Sequence, residues 1–83
     1  MLLASGDFNS ARAFYERAAA FGDSEAALRL GASYDSGFLT QAGLNPNEAN
    51  ISVATRWYGL AQILGAPEAE ILLKALVNEN RAR

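Results

Sequence analysis

The sequence predicts an all-α fold built from repeated helical hairpins, and three observations predict it. The first is internal repetition. Ala11, Tyr15, Ala18, Gly22 and Ala26 return as Ala54, Tyr58, Ala61, Gly65 and Ala69, each 43 positions later. A fixed period of this size marks stacked units, each burying its apolar face on its neighbours. The second is apolar spacing at three and four, the period of an amphipathic helix. The third is a matched set of start and stop residues around each apolar run.

Four helices follow in order. Asp7 and Asn50, again 43 apart, read as N-caps whose side chains accept from the open N–H groups of a first turn. From Asp7, Phe8, Ala11, Phe14, Tyr15, Ala18 and Phe21 form one stripe of a helix about 14 residues long. Gly22 stops it and Gly65 stops its counterpart, since glycine adopts the left-handed conformation without cost. The second helix takes Asp23 as cap and Ser24 as first residue, with Ala27, Leu30, Gly31 and Tyr34 as its stripe. Gly31 leaves room for a neighbouring helix to approach. The third carries Ile51, Ala54, Trp57, Tyr58, Ala61 and Leu64. The fourth opens on Pro67, which suits a first helical position because its missing N–H would be unpaired there. It carries Ala69, Leu72, Leu73, Leu76 and Val77, then frays into the polar tail 78–83.

The segment from Gly37 to Ala49 is too long for a tight helix hairpin and holds three apolar residues, Phe38, Leu39 and Leu44. Loops of this length are packed or functional. Either the three fold back as a satellite cluster, or the loop meets a partner.

Composition narrows the chemistry. The 83 residues suit one domain, 51% of them hydrophobic. The formal net charge of −2, with 7 basic residues scattered along the chain, argues against nucleic acid as a partner. No run approaches the ~20 apolar residues of a membrane span, so direct membrane insertion is not expected. The start Met1-Leu2-Leu3-Ala4 is too short, and lacks the basic residues, for a signal peptide. With no Cys and no His, thiol catalysis, Ser-His-Asp triads and the usual Cys/His zinc sites are impossible. No metal, cofactor or catalytic residue is expected, and absent thiols fit cytoplasm and periplasm equally.

The remaining candidates have structural explanations beside functional ones. Phe14, Tyr15, Trp57 and Tyr58 could stack a flat ligand, but aromatics at helical spacing are expected as core, with the two tyrosine hydroxyls near the surface. Glu25 and Glu68 sit in first turns, where the helix dipole favours an acid. Asp35 falls near the end of its helix, where a negative charge is disfavoured. It either caps the following turn at Gly37 or binds something.

At Ala27-x-x-Leu30-Gly31-x-x-Tyr34, followed by Ala54-x-x-Trp57-Tyr58-x-x-Ala61-x-x-x-Gly65, the chain resembles Sel1-like repeats, relatives of the tetratricopeptide repeat. The resemblance spans Asp7 to about Leu76, with residues 24–64 as one complete unit and half units on either side. It departs from the family at Ser36-Gly37-Phe38-Leu39, where a short Gly-x-Gly-Val followed by Asp is usual, and at Lys74, which stands where the preceding copy has Gly31. Lys74 makes the last helix a candidate terminal cap. The resemblance implies a right-handed α–α superhelix of about two helical-hairpin repeats, four antiparallel helices in a single domain over residues 1–83. The half-unit start implies the C-terminal fragment of a longer, bacterial protein.

The resemblance also implies function. Family members are scaffolds and adaptors without catalysis of their own, so a protein or peptide partner is expected. In tetratricopeptide-like superhelices the first helix of each unit lines the concave groove. Carried over, those positions are Glu25, Leu28, Ala32, Asp35, Glu68, Ile71, Ala75 and Asn78. Leu28 and Ile71 would form a partly exposed apolar pair suited to an amphipathic segment with a basic residue, or would pack against the loop. The alternative function is self-association into a homodimer through an uncapped end of the stack.

Overall fold

A computed structural model describes residues 8–81, with the side chains of 79–81 left out. The expected cap Asp7, the segment Met1–Leu3 and the last two tail residues lie outside the described residues. Among those described, every regular element is helical. Helices α1 (Phe8–Ala20), α2 (Ser24–Ala32), α3 (Ser36–Gln41), α4 (Ile51–Leu64) and α5 (Glu68–Arg81) are joined by short turns, and a 3-10 turn at Pro46–Glu48 sits between α3 and α4. Helix α2 packs on α1 and on α4, and α5 packs on α4.

Several positions 43 apart are buried alike. Ala11 and Ala54 are both fully buried, as are Tyr15 with Tyr58 and Ala26 with Ala69 to within a few per cent. The stops match too. Gly22 and Gly65 have φ of 91° and 107°. After each glycine the chain closes with two backbone bonds: Gly22 N–H to Ala19 O and Asp23 N–H to Ala18 O, then Gly65 N–H to Gln62 O and Ala66 N–H to Ala61 O. This is the Schellman closure, which satisfies the last carbonyls of a helix. Two of the expected caps are in place. Asp23 accepts from Ala26 N–H at 3.1 Å and Asn50 from Val53 N–H at 3.2 Å.

The described chain has five α-helices where four were expected, because the segment read as a loop contains α3. A third Schellman closure ends it, with Gly43 at φ 74° and Leu44 N–H bonded to Leu39 O at 2.8 Å. Leu39 is fully buried and Phe38 packs against the core, so these side chains do fold back on the hairpin. Helix α2 also stops at Ala32, before Tyr34. Asp35 therefore begins the next helix instead of ending its own. It is the N-cap of α3 and accepts from Gly37 N–H at 2.9 Å. Its negative charge thus lies at a helix start, the favourable end. The tail expected to fray stays helical through Arg81.

The aromatic expectations need correction. Trp57 is half-buried and Tyr15 and Tyr58 are buried, but Phe14 is 61% exposed and Phe21 88% exposed. Phe14 makes an edge-on contact with Tyr15, ring centroids 5.6 Å apart. The Tyr58 hydroxyl is buried, not near the surface, and is bonded inside the protein to Asp35.

Candidate functional site

Among the described residues, three of the expected site residues meet in a concavity between α2, α3, α4 and α5. Glu25, Leu28, Arg29 and Ala32 line it from α2, Phe38 from α3, Tyr58 from α4 and Leu72 from α5. Its volume is about 210 Å³. Small-molecule sites run from roughly 300 Å³ upward, so this one has room for a single large apolar side chain rather than a whole ligand.

Local sequence explains each wall. Residues 25, 28, 29 and 32 recur at three and four and so share one face of α2. Phe38 arrives because Asp35 starts α3 immediately after α2 ends. The floor is Tyr58, fixed twice over. Its ring lies against Gly31, where an added Cβ would stand 2.6 Å from Tyr58 Cε1. Its hydroxyl donates to Asp35 Oδ2 at 2.7 Å. Burial chiefly, then the hydrogen bond and the charge of Asp35, push the Tyr58 hydroxyl far above the ordinary tyrosine pKa. Tyr58 thus holds its proton and offers no acid or base to a partner. At the rim, Glu25 pairs with Arg29 at 3.1 Å. An exposed pair of this kind is worth little to folding.

The expected residues divide as follows. Glu25, Leu28 and Ala32 come together in the concavity. Asp35 is buried beneath it, with both carboxylate oxygens occupied by Gly37 and Tyr58, and so does not face a groove. Glu68, Ile71 and Ala75 are exposed on α5 and do not line it; Ile71 is 71% exposed. Asn78 lines a separate shallow depression of about 290 Å³ with Leu73, Lys74 and Val77. The apolar partner of Leu28 is therefore Leu72, one residue from the expected Ile71.

Sequence reasoning missed Arg12. Its guanidinium lies 3.7 Å from the centre of the Tyr34 ring and 5.1 Å from that of Phe8. It donates to Ser33 Oγ at 3.1 Å, to the Ser33 carbonyl, to Glu48 Oε1 at 3.0 Å and to the Glu48 carbonyl at 3.1 Å. Asn50 N–H donates to the Tyr34 carbonyl at 2.8 Å beside it. Arg12 thereby ties α1 to the end of α2 and to the 3-10 turn, and holds the segment that carries Phe38. One signal was available: Arg12 sits beside Ala11 on the stripe side of α1, an unusual place for an unpaired charge.

No cluster of metal-ligating side chains and no helix long and apolar enough to cross a membrane occurs among the described residues. Compared with protein-family models, curated proteins and solved structures, the chain finds no match.

Proposed function

We propose that this chain is a non-catalytic protein-interaction module of Sel1-like repeats, a scaffold or adaptor element of a larger protein, and that it binds through the concavity between α2 and α5. One observation carries the reading: an apolar hollow for one side chain, with a floor that cannot move away. Tyr58 is packed on Gly31 and hydrogen-bonded to Asp35, so the hollow exists before a partner arrives. Preformed sites bind without spending interaction energy on ordering themselves. Leu28, Phe38 and Leu72 supply apolar walls, and Glu25 stands at the rim for a basic residue. A short amphipathic helix with one large apolar anchor and a neighbouring Lys or Arg fits that chemistry. The 43-residue match of the two glycine stops and of several buried positions supports the repeat assignment.

Selection from a displayed library of helical peptides tests this. Enriched peptides should carry an apolar anchor beside a basic residue and lose binding to Leu28→Glu/Leu72→Glu, with helicity retained. Peptides that bind the double variant equally well would contradict it. Self-association, the alternative, has the exposed Phe14 and Phe21 in its favour. Its signature is a concentration-dependent dimer in light scattering.

A further inference from the structure

The chain leaves α2 through Ser33 and Tyr34 and reaches α4 at Asn50, and these two places are closed on one another. Asn50 N–H donates to the Tyr34 carbonyl at 2.8 Å. Arg12 bridges the same gap from α1. It donates to Ser33 on one side and to Glu48 on the other, using the side-chain acceptor and the carbonyl of each. A segment whose ends meet in this way has the form of an Ω-loop, a kind that is frequently functional.

Between the two ends, residues 36–49 hold together by themselves. Backbone bonds run inside the segment, from Ala42 N–H to Phe38 O, Leu44 N–H to Leu39 O and Ala49 N–H to Pro46 O. Helix α3 packs chiefly on the 3-10 turn of the same segment. Leu39 is fully buried yet a member of neither core cluster. Phe38 packs on both clusters, and the same side chain is a wall of the hollow. Residues 40–43 and 45–47 are exposed. A segment bonded to itself and tied to the rest by few side chains is the kind that opens locally while the remainder stays folded.

We infer that residues 36–49 are a strap that opens in one step at the neck between Tyr34 and Asn50, with Arg12 as its latch. Asp35 stays bonded to Tyr58 when the strap opens, so the floor of the hollow remains and the Phe38 wall departs. The consequence for binding rests on the hollow being the binding site. A partner seated against Phe38 is held only while the strap is shut, and its binding in turn holds the strap shut. Arg12 thus governs, from α1, a hollow that α1 does not line.

The test is native-state amide exchange of the 83-residue chain at urea concentrations below its unfolding transition. The amides of Ala42, Leu44, Ala49 and Asn50 should share one opening constant, larger than that of Tyr58 and Ala61 in α4, and one smaller urea dependence. Arg12→Lys should raise the four rates by one common factor, on the order of 10–100, and Glu48→Gln by a smaller one. Leu76→Ala, which weakens the core that an open strap leaves intact, should speed the α4 amides and leave the four strap amides unchanged. Four unrelated opening constants, or strap amides that follow Leu76→Ala in step with α4, would overturn the inference. A helical peptide selected on the wild-type chain tests the link to the hollow. At 100 times its Kd it should slow exchange at Ala49 and Asn50, which do not line the hollow, by about 100-fold. A bound peptide that leaves those two rates unchanged would overturn the link. A hollow that binds no peptide would sink the groove reading alone, because the exchange pattern of the free chain judges the strap either way.

Discussion

The Tyr58 hydroxyl donates a 2.7 Å hydrogen bond to Oδ2 of Asp35, whose other oxygen accepts from Gly37 N–H at 2.9 Å. One buried carboxylate thus starts α3, anchors α4 beside α2 and fixes the floor of the concavity. Its neighbours satisfy it, which is the condition for tolerating a charge in the interior.

Tyr58→Phe should cost about 1–3 kcal/mol at neutral pH, because it strips a buried carboxylate of one partner. The pH dependence has a definite sign. The folded protein holds the Tyr58 proton more tightly than the unfolded chain, so the contribution is complete below the unfolded value of about 10 and declines as pH rises above it. Denaturant titrations of wild type and Tyr58→Phe from pH 7 to 11 should show their stability difference constant to about pH 9 and shrinking beyond it. A gap that widens in alkali would contradict the assignment.

Gly31→Ala should destabilise the fold although alanine is the better helix former by about 1 kcal/mol. The new methyl meets the Tyr58 ring, which the bond to Asp35 keeps in place, and overpacking of this kind costs about 1–3 kcal/mol. With Tyr58→Leu present the obstacle is gone and the sign should reverse, so that alanine at 31 stabilises. Thermal melts of the four proteins in this cycle check both halves.

Arg12→Lys should not rescue what Arg12→Ala loses. A lysine has no planar fork to reach Ser33 and Glu48 together, nor a flat face for Tyr34. Either change should cost about 2–3 kcal/mol, given hydrogen bonds to a charged group with most of the side chain covered. Hydrogen exchange locates the effect. The amides of Asn50 and Leu44 should exchange faster while those of the α4 core keep their protection.

How far the sequence carries the account is visible residue by residue. The paired stops Gly22 and Gly65, the caps Asp23 and Asn50, and the room at Gly31 were all legible, because each rests on local backbone chemistry or on repetition. Helix α3 was not, although Gly43 is the same stop signal, because a six-residue helix is too short to display an apolar period. Asp35 reads as the end of α2 for the same reason, although the cap it forms on Gly37 is one of the two roles its position suggests. Arg12 and the Tyr58–Asp35 bond join positions 21 to 36 residues apart, beyond the reach of any local pattern. The carry-over from tetratricopeptide-like superhelices supplied Glu25, Leu28 and Ala32, which line the concavity. The rotation of α5, which turns Leu72 inward instead of Ile71, is set by packing against α4.

The most direct measurement is an amide chemical-shift titration of the labelled chain with a peptide selected as above. The account predicts shifts concentrated at Glu25, Leu28, Arg29, Ala32, Phe38 and Leu72, and their loss in Leu28→Glu/Leu72→Glu. Shifts confined to the outer face of α1 or to Ile71, Ala75 and Asn78 would contradict it.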